Sequence, residues 1–123
     1  MGTLSIVGAV VFFGVIFGSG YWLSRAGKPY NVIVLTIHKL ISLAVVVFLV
    51  IIMVQANRVA VLSAMELVAG VLTGLFFLGL MATGGLLSAD KQMPPIVLKL
   101  HQIAPYLTVL SAAVTLYLLQ GRR

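Results

Sequence analysis

Four apolar runs of more than twenty residues, separated by connectors of five to seven residues, leave this chain few folds to adopt. A hydrocarbon core about 30 Å thick is crossed by roughly 20 mainly apolar helical residues, which predicts spans over about 4–24, 30–56, 63–87 and 95–120. The connectors are Arg25-Ala26-Gly27-Lys28-Pro29, Asn57-Arg58-Val59-Ala60-Val61-Leu62 and Ser88-Ala89-Asp90-Lys91-Gln92-Met93-Pro94. Links this short make successive helices antiparallel neighbours. The expected fold is therefore all-α: a single transmembrane domain over 1–123, built as an integral membrane four-helix up-down-up-down bundle. Hydrophobic residues make up 62% of the 123 and charged residues 8%, too little polarity to clothe a water-facing surface. Lipid is the expected solvent, and the lack of period-two alternation argues against a lipid-facing barrel.

The first run has no basic segment before it, is too long for a signal-peptide core, and no small-x-small cleavage site follows it, so it is read as a span. The formal charge of +6 comes from Arg25, Lys28, Lys39, Arg58, Lys91, Lys99, Arg122 and Arg123, mostly at run ends. That is the ordinary flanking pattern of a membrane protein and not a nucleic-acid surface. Arg25, Lys28 and Lys91 on one side balance Arg58, Arg122 and Arg123 on the other; counting Lys39 and Lys99 tips the near side toward the cytoplasm. The chain has no cysteine, which excludes disulfides, thiolate-held clusters and c-type haem attachment.

An internal repeat divides the four runs into two hairpins, about 1–56 and 63–120. Gly18-Ser-Gly-Tyr-Trp-Leu-Ser24 lies over Ala82-Thr-Gly-Gly-Leu-Leu-Ser88, matching Gly20 with Gly84, Leu23 with Leu87 and Ser24 with Ser88. Leu35-Thr-Ile-His38-Lys-Leu then lies over Leu98-Lys-Leu-His101-Gln-Ile, with one residue gained or lost in the connector. Each copy is a two-span hairpin, so both insert in the same sense.

His38 and His101 are the chain's only histidines, and an ionisable or ligating side chain within a span is a functional-site hypothesis by default. His38 lies 20 residues before Arg58 and His101 lies 21 before Arg122, so both imidazoles are ~30 Å from the far boundary. From the near side, His38 is nine residues past Pro29 and His101 six past Pro95, roughly 14 and 9 Å. In a square bundle, the second and fourth helices are diagonal partners about 11–14 Å apart, a gap that suits a porphyrin held edge-on.

Zinc wants three or four protein ligands, whereas haem iron accepts two axial imidazoles and then favours electron transfer. The competing readings are a pair of histidines packing helices in a structural or assembly subunit, and (bacterio)chlorophyll ligation with one magnesium per histidine. The first and third runs are glycine-rich and the histidine-bearing runs lack glycine. Gly14, Gly18, Gly70 and Gly74 read as close-packing motifs. Gly20 and Gly84, in the depth band of the histidines, read as room for a flat cofactor's edges. Lys39 and Lys99 can snorkel to the near surface, where they and Arg25 and Lys28 are candidates for haem propionates or lipid phosphates.

The two histidine segments, with their glycine-rich partner runs, resemble the haem-binding spans of small membrane b-type cytochromes, namely cytochrome b561-type and respiratory cytochrome b four-helix bundles. Those families generally carry four axial histidines and two haems, and this chain has two histidines. The resemblance implies one haem b with His38 and His101 as axial ligands, in a protein of the cytoplasmic (inner) membrane. A second electron station is then a quinone or quinol, a redox partner protein or another copy of the chain.

Ser63-Ala-Met-Glu66 reads as a capping box opening the third helix, with Arg58 near enough to pair with Glu66. Small multidrug transporters are also four-span chains of this size, but they require a carboxylate deep in the first helix, and here there is none. Pro105, four residues past His101, is expected to kink its helix. Tyr21, Trp22, Tyr30, Tyr106 and Tyr117 read as an interfacial aromatic belt.

Overall fold

A computed structural model describes residues 3–89 and 92–121. They form four α-helices: α1 (Thr3–Ala26), α2 (Val32–Val59), α3 (Ala64–Ser88) and α4 (Pro95–Gln120). No strand occurs among the described residues, and all four helices are long and apolar enough to cross a membrane. This is the all-α membrane class expected from the sequence. Lys91, Arg122 and Arg123, used above to judge orientation and depth, lie outside the described residues.

The helix ends follow from local chemistry. Gly27 adopts φ +70° and its N–H donates to the Leu23 carbonyl at 3.0 Å, the left-handed stop that glycine makes without steric cost. Asn31 opens α2: its Oδ1 accepts from the N–H groups of Ile33 at 2.9 Å and Val34 at 3.2 Å, satisfying two of the donors that a helix start leaves unpaired. The second span therefore begins two residues later than its apolar run. At α3 the expected capping box is complete, with the Glu66 N–H donating to Ser63 Oγ at 3.2 Å and the Ser63 N–H donating to Glu66 Oε1 at 2.8 Å. Glu66 is buried. Ser63→Ala is expected to cost about 1 kcal/mol, read as a lower midpoint on denaturation in detergent; an unchanged midpoint would contradict the capping role.

The chain divides into two compact units, Met1–Ile52 and Met53–Arg123. In the first, α1 and α2 run antiparallel: Ser19 meets His38 at one end, and Phe12 meets Phe48 at the other, with ring centroids 5.4 Å apart in an edge-on contact. Phe48 also lies against Gly8, where a Cβ would sit 3.4 Å from its ring. In the second unit α3 and α4 are likewise antiparallel. Thr83 meets His101, and Thr73 Oγ1 lies 2.6 Å from Ser111 Oγ and 3.2 Å from Thr115 Oγ1.

The duplication extends along both hairpins without a gap inside either helix pair. Phe12-Phe13 corresponds to Phe76-Phe77, Gly8 to Leu72, Ala9 to Thr73, Val45 to Thr108, Phe48 to Ser111 and Ile52 to Thr115. Ala9, Val45 and Ile52 are buried in the first hairpin, and Thr73, Thr108 and Thr115 are buried at the matching positions of the second. Gly8 lies against Phe48 in the first copy, whereas the matching positions of the second hold Leu72, which is exposed, and Ser111, which meets Thr73.

Chemistry in this half nevertheless differs. The first hairpin is joined by apolar and aromatic contacts, the second by hydroxyls. Thr73 and Thr115 also donate back to the carbonyls of Ala69 and Ser111, at 2.8 and 2.9 Å. Hydroxyl pairs of this kind hold membrane helices together at about 0.6 kcal/mol each. Outward-facing Val10, Leu40, Val71 and Leu110 are exposed and are covered by lipid tails in a bilayer.

Candidate functional site

Each hairpin builds the same small constellation around its histidine. His38 is the seventh residue of α2 and His101 the seventh of α4, so each imidazole stands about 9 Å along its helix from the first residue. The unequal counts from the prolines become equal along the helices because Asn31 starts α2 at Val32, whereas α4 starts at Pro95 itself. Both histidines are partly buried.

In the first hairpin Ser19 Oγ lies 2.8 Å from His38 Nδ1. The same hydroxyl donates to carbonyls of its own helix, Val15 at 2.8 Å and Ile16 at 3.1 Å. In the second hairpin Thr83 Oγ1 lies 2.8 Å from His101 Nδ1, and donates to Gly79 at 2.9 Å and Leu80 at 3.1 Å. Ser19 and Thr83 occupy equivalent positions of the repeat, immediately before Gly20 and Gly84.

The glycines serve the ring itself. A Cβ on Gly20 would sit 3.2 Å from His38 Cε1, and one on Gly84 would sit 3.1 Å from His101 Cε1. The space freed by the missing side chain, read from the sequence as room for a cofactor edge, holds the imidazole of the same hairpin. By contrast, nothing among the described residues lies within 4 Å of a Cβ built on Gly14, Gly18 or Gly74, and at Gly70 the Cβ would overlap the flexible Met53 side chain. Of the four close-packing glycines expected from the sequence, Gly70 is the one with a neighbour at its Cβ position among the described residues of its own unit.

Four residues beyond each histidine the two copies diverge. Ser42 Oγ donates to the His38 carbonyl at 2.6 Å. Pro105 stands at the matching position in α4 and has no N–H to offer the His101 carbonyl. The helix continues through Pro105 to Gln120.

The basic candidates are dispersed. Arg25 Cζ lies 6.0 Å from the Tyr21 ring centroid and Lys28 Nζ 5.9 Å from that of Tyr30, the cation–π range. Lys39 and Lys99 are exposed. They are not equivalent in the repeat, since Lys39 follows its histidine by one residue and Lys99 precedes its own by two. At about 100° per residue neither shares its histidine's helix face. Among the described residues no three His, Cys, Asp or Glu side chains gather into a metal-holding group.

Ser19 and Thr83 are the site residues that sequence reasoning passed over. Their signal was present, because each hydroxyl precedes a matched glycine, but Ser and Thr are not identical and the repeat was anchored on identities.

Fold and site together define a four-span membrane protein of two duplicated hairpins, each presenting one hydroxyl-anchored imidazole. No protein-family model, curated protein or solved structure matches this chain.

Proposed function

We propose that this protein is a membrane b-type cytochrome that carries one electron on a haem whose axial ligands are His38 and His101. The observation that carries the reading is the duplicated hydroxyl–imidazole contact, 2.8 Å in each hairpin. A ligating histidine almost always has its second ring nitrogen held by a hydrogen-bond partner that fixes tautomer and ring orientation. Both histidines have such a partner on Nδ1, which leaves Nε2 as the nitrogen that would ligate.

The donor set fits haem b. Two imidazoles, one from each hairpin and each the seventh residue of its helix, would supply the two ligands that a haem b takes. Bound haem would supply a reversible one-electron couple, with no open coordination position for substrate. The chain's own residues bind and orient: the histidines ligate, Ser19 and Thr83 hold the rings, and Gly20 and Gly84 let the rings lie close to the neighbouring helix. Arg25, Lys28, Lys39 and Lys99 are the candidates to meet propionates at the near surface. The electron exchanges there with quinol or a redox partner, in the cytoplasmic membrane.

Titrating haem-free protein in detergent with haemin tests the reading. Saturation at one haem per chain, giving a six-coordinate low-spin spectrum, is expected. Failure to take up haem would return the two histidines to a role in helix packing.

A further inference from the structure

We propose that Ser19 and Thr83 are positioning residues of this site, each accepting the Nδ1–H of its histidine and thereby placing the ring's lone pair on Nε2. The proposal rests on the haem reading for its consequence, but its geometry is independent of any bound group.

A serine or threonine hydroxyl has one proton and two lone pairs. Ser19 Oγ contacts two kinds of neighbour at hydrogen-bond distance, helix carbonyls and the His38 Nδ1. A carbonyl cannot donate, so with the single hydroxyl proton given to the helix turn the contact to the ring uses the proton on Nδ1, and this is the arrangement we assign. Thr83 has the same pair of neighbours, with corresponding distances equal to within 0.1 Å.

Free imidazole in water prefers its proton on Nε2, which would block ligation. Each hairpin thus opposes that preference with one hydroxyl, which is itself locked by its own helix turn. Glycine at the next position lets the ring approach closely enough for the contact to form. Serine, threonine and glycine therefore act as one device, present twice.

The bond has an electronic consequence. An imidazole that donates from Nδ1 gains negative character and becomes a stronger ligand through Nε2. This favours the oxidised iron, so removing the hydroxyl should make the haem easier to reduce. It should also let the ring rotate and weaken haem binding by about 10- to 100-fold, the usual effect of losing a second-shell partner.

The test uses full-length, haem-free protein with 15N-labelled histidine in detergent, and NMR that reports which ring nitrogen bears the proton. At a pH where the rings are neutral, both wild-type imidazoles are expected to carry the proton on Nδ1. Ser19→Ala should shift His38 alone toward the Nε2–H form, and Thr83→Val should shift His101 alone. Ser19→Thr and Thr83→Ser should each retain the wild-type tautomer, which shows that folding and ring packing survive substitution there. Wild-type rings protonated on Nε2, or tautomers indifferent to Ser19→Ala and Thr83→Val, would overturn the proposal.

In haem-loaded protein at fixed ambient potential, each hydroxyl deletion should raise the reduced-to-oxidised ratio by about three- to tenfold, tenfold being 59 mV for a one-electron couple. An unchanged ratio would overturn the electronic role. Absence of haem uptake with the expected tautomers intact would refute the haem reading and leave the hydroxyl–imidazole assignment standing.

Discussion

His101→Ala is expected to abolish six-coordinate haem binding, and His38→Ala to do the same, while both variants still insert as four-span chains. The equivalence is the point. Each histidine is the seventh residue of its helix, with a hydroxyl on Nδ1 and a glycine beside Cε1. If both ligate one iron, deleting either leaves at most a five-coordinate, weakly held haem. The affinity loss should exceed the about 10- to 100-fold typical of second-shell changes. Haemin titration followed by absorption measures it. A variant that keeps the wild-type six-coordinate spectrum would show that the deleted histidine is no ligand, and unequal effects would break the equivalence between the hairpins.

Gly20→Val and Gly84→Val should be nearly as damaging, for steric and not chemical reasons. A Cβ alone would stand 3.2 and 3.1 Å from the imidazole Cε1 atoms, so alanine already requires a shift of a few tenths of an ångström. The two methyls of valine have nowhere to go unless the ring swings away from its hydroxyl, which loses the orienting bond and about 10- to 100-fold in haem affinity. Gly14→Val is the control, since nothing among the described residues lies within 4 Å of its Cβ. That variant should bind haem as the wild type does. Equal damage from Gly14→Val and Gly20→Val would mean that glycine matters here for helix packing in general and not for the ring.

Helix number, type and approximate bounds were legible because apolar length is a strong signal in a membrane chain; α4 begins and ends where its sequence run does. What shifted was the start of α2, where Asn31 caps the helix two residues into the run. The histidines and their matched positions along their own helices were legible too. Their surroundings were legible only in part, because a helix that is apolar on every side shows no stripe to mark its inner face. In such helices inward positions are marked by small and hydroxyl residues, as at Thr73, Thr108 and Thr115. These are legible only once the two copies are laid over each other.

The glycines illustrate the limit. Sequence placed Gly20 and Gly84 at the histidines' depth and read them as space beside a cofactor, whereas side-chain packing assigns that space to the rings. A missing Cβ announces a close approach, and only coordinates say of what. Ser19 was harder still, because in a span a serine bonding back to its own helix is commonplace, and its second contact lies on another helix.

The most direct measurement is the absorption spectrum of the purified wild-type protein from haem-replete membranes, recorded oxidised and then reduced with dithionite. A bis-imidazole b haem requires a low-spin spectrum whose α band sharpens on reduction, at a content of one haem per chain. A colourless preparation, or a high-spin spectrum unaffected by His38→Ala and His101→Ala, would contradict it.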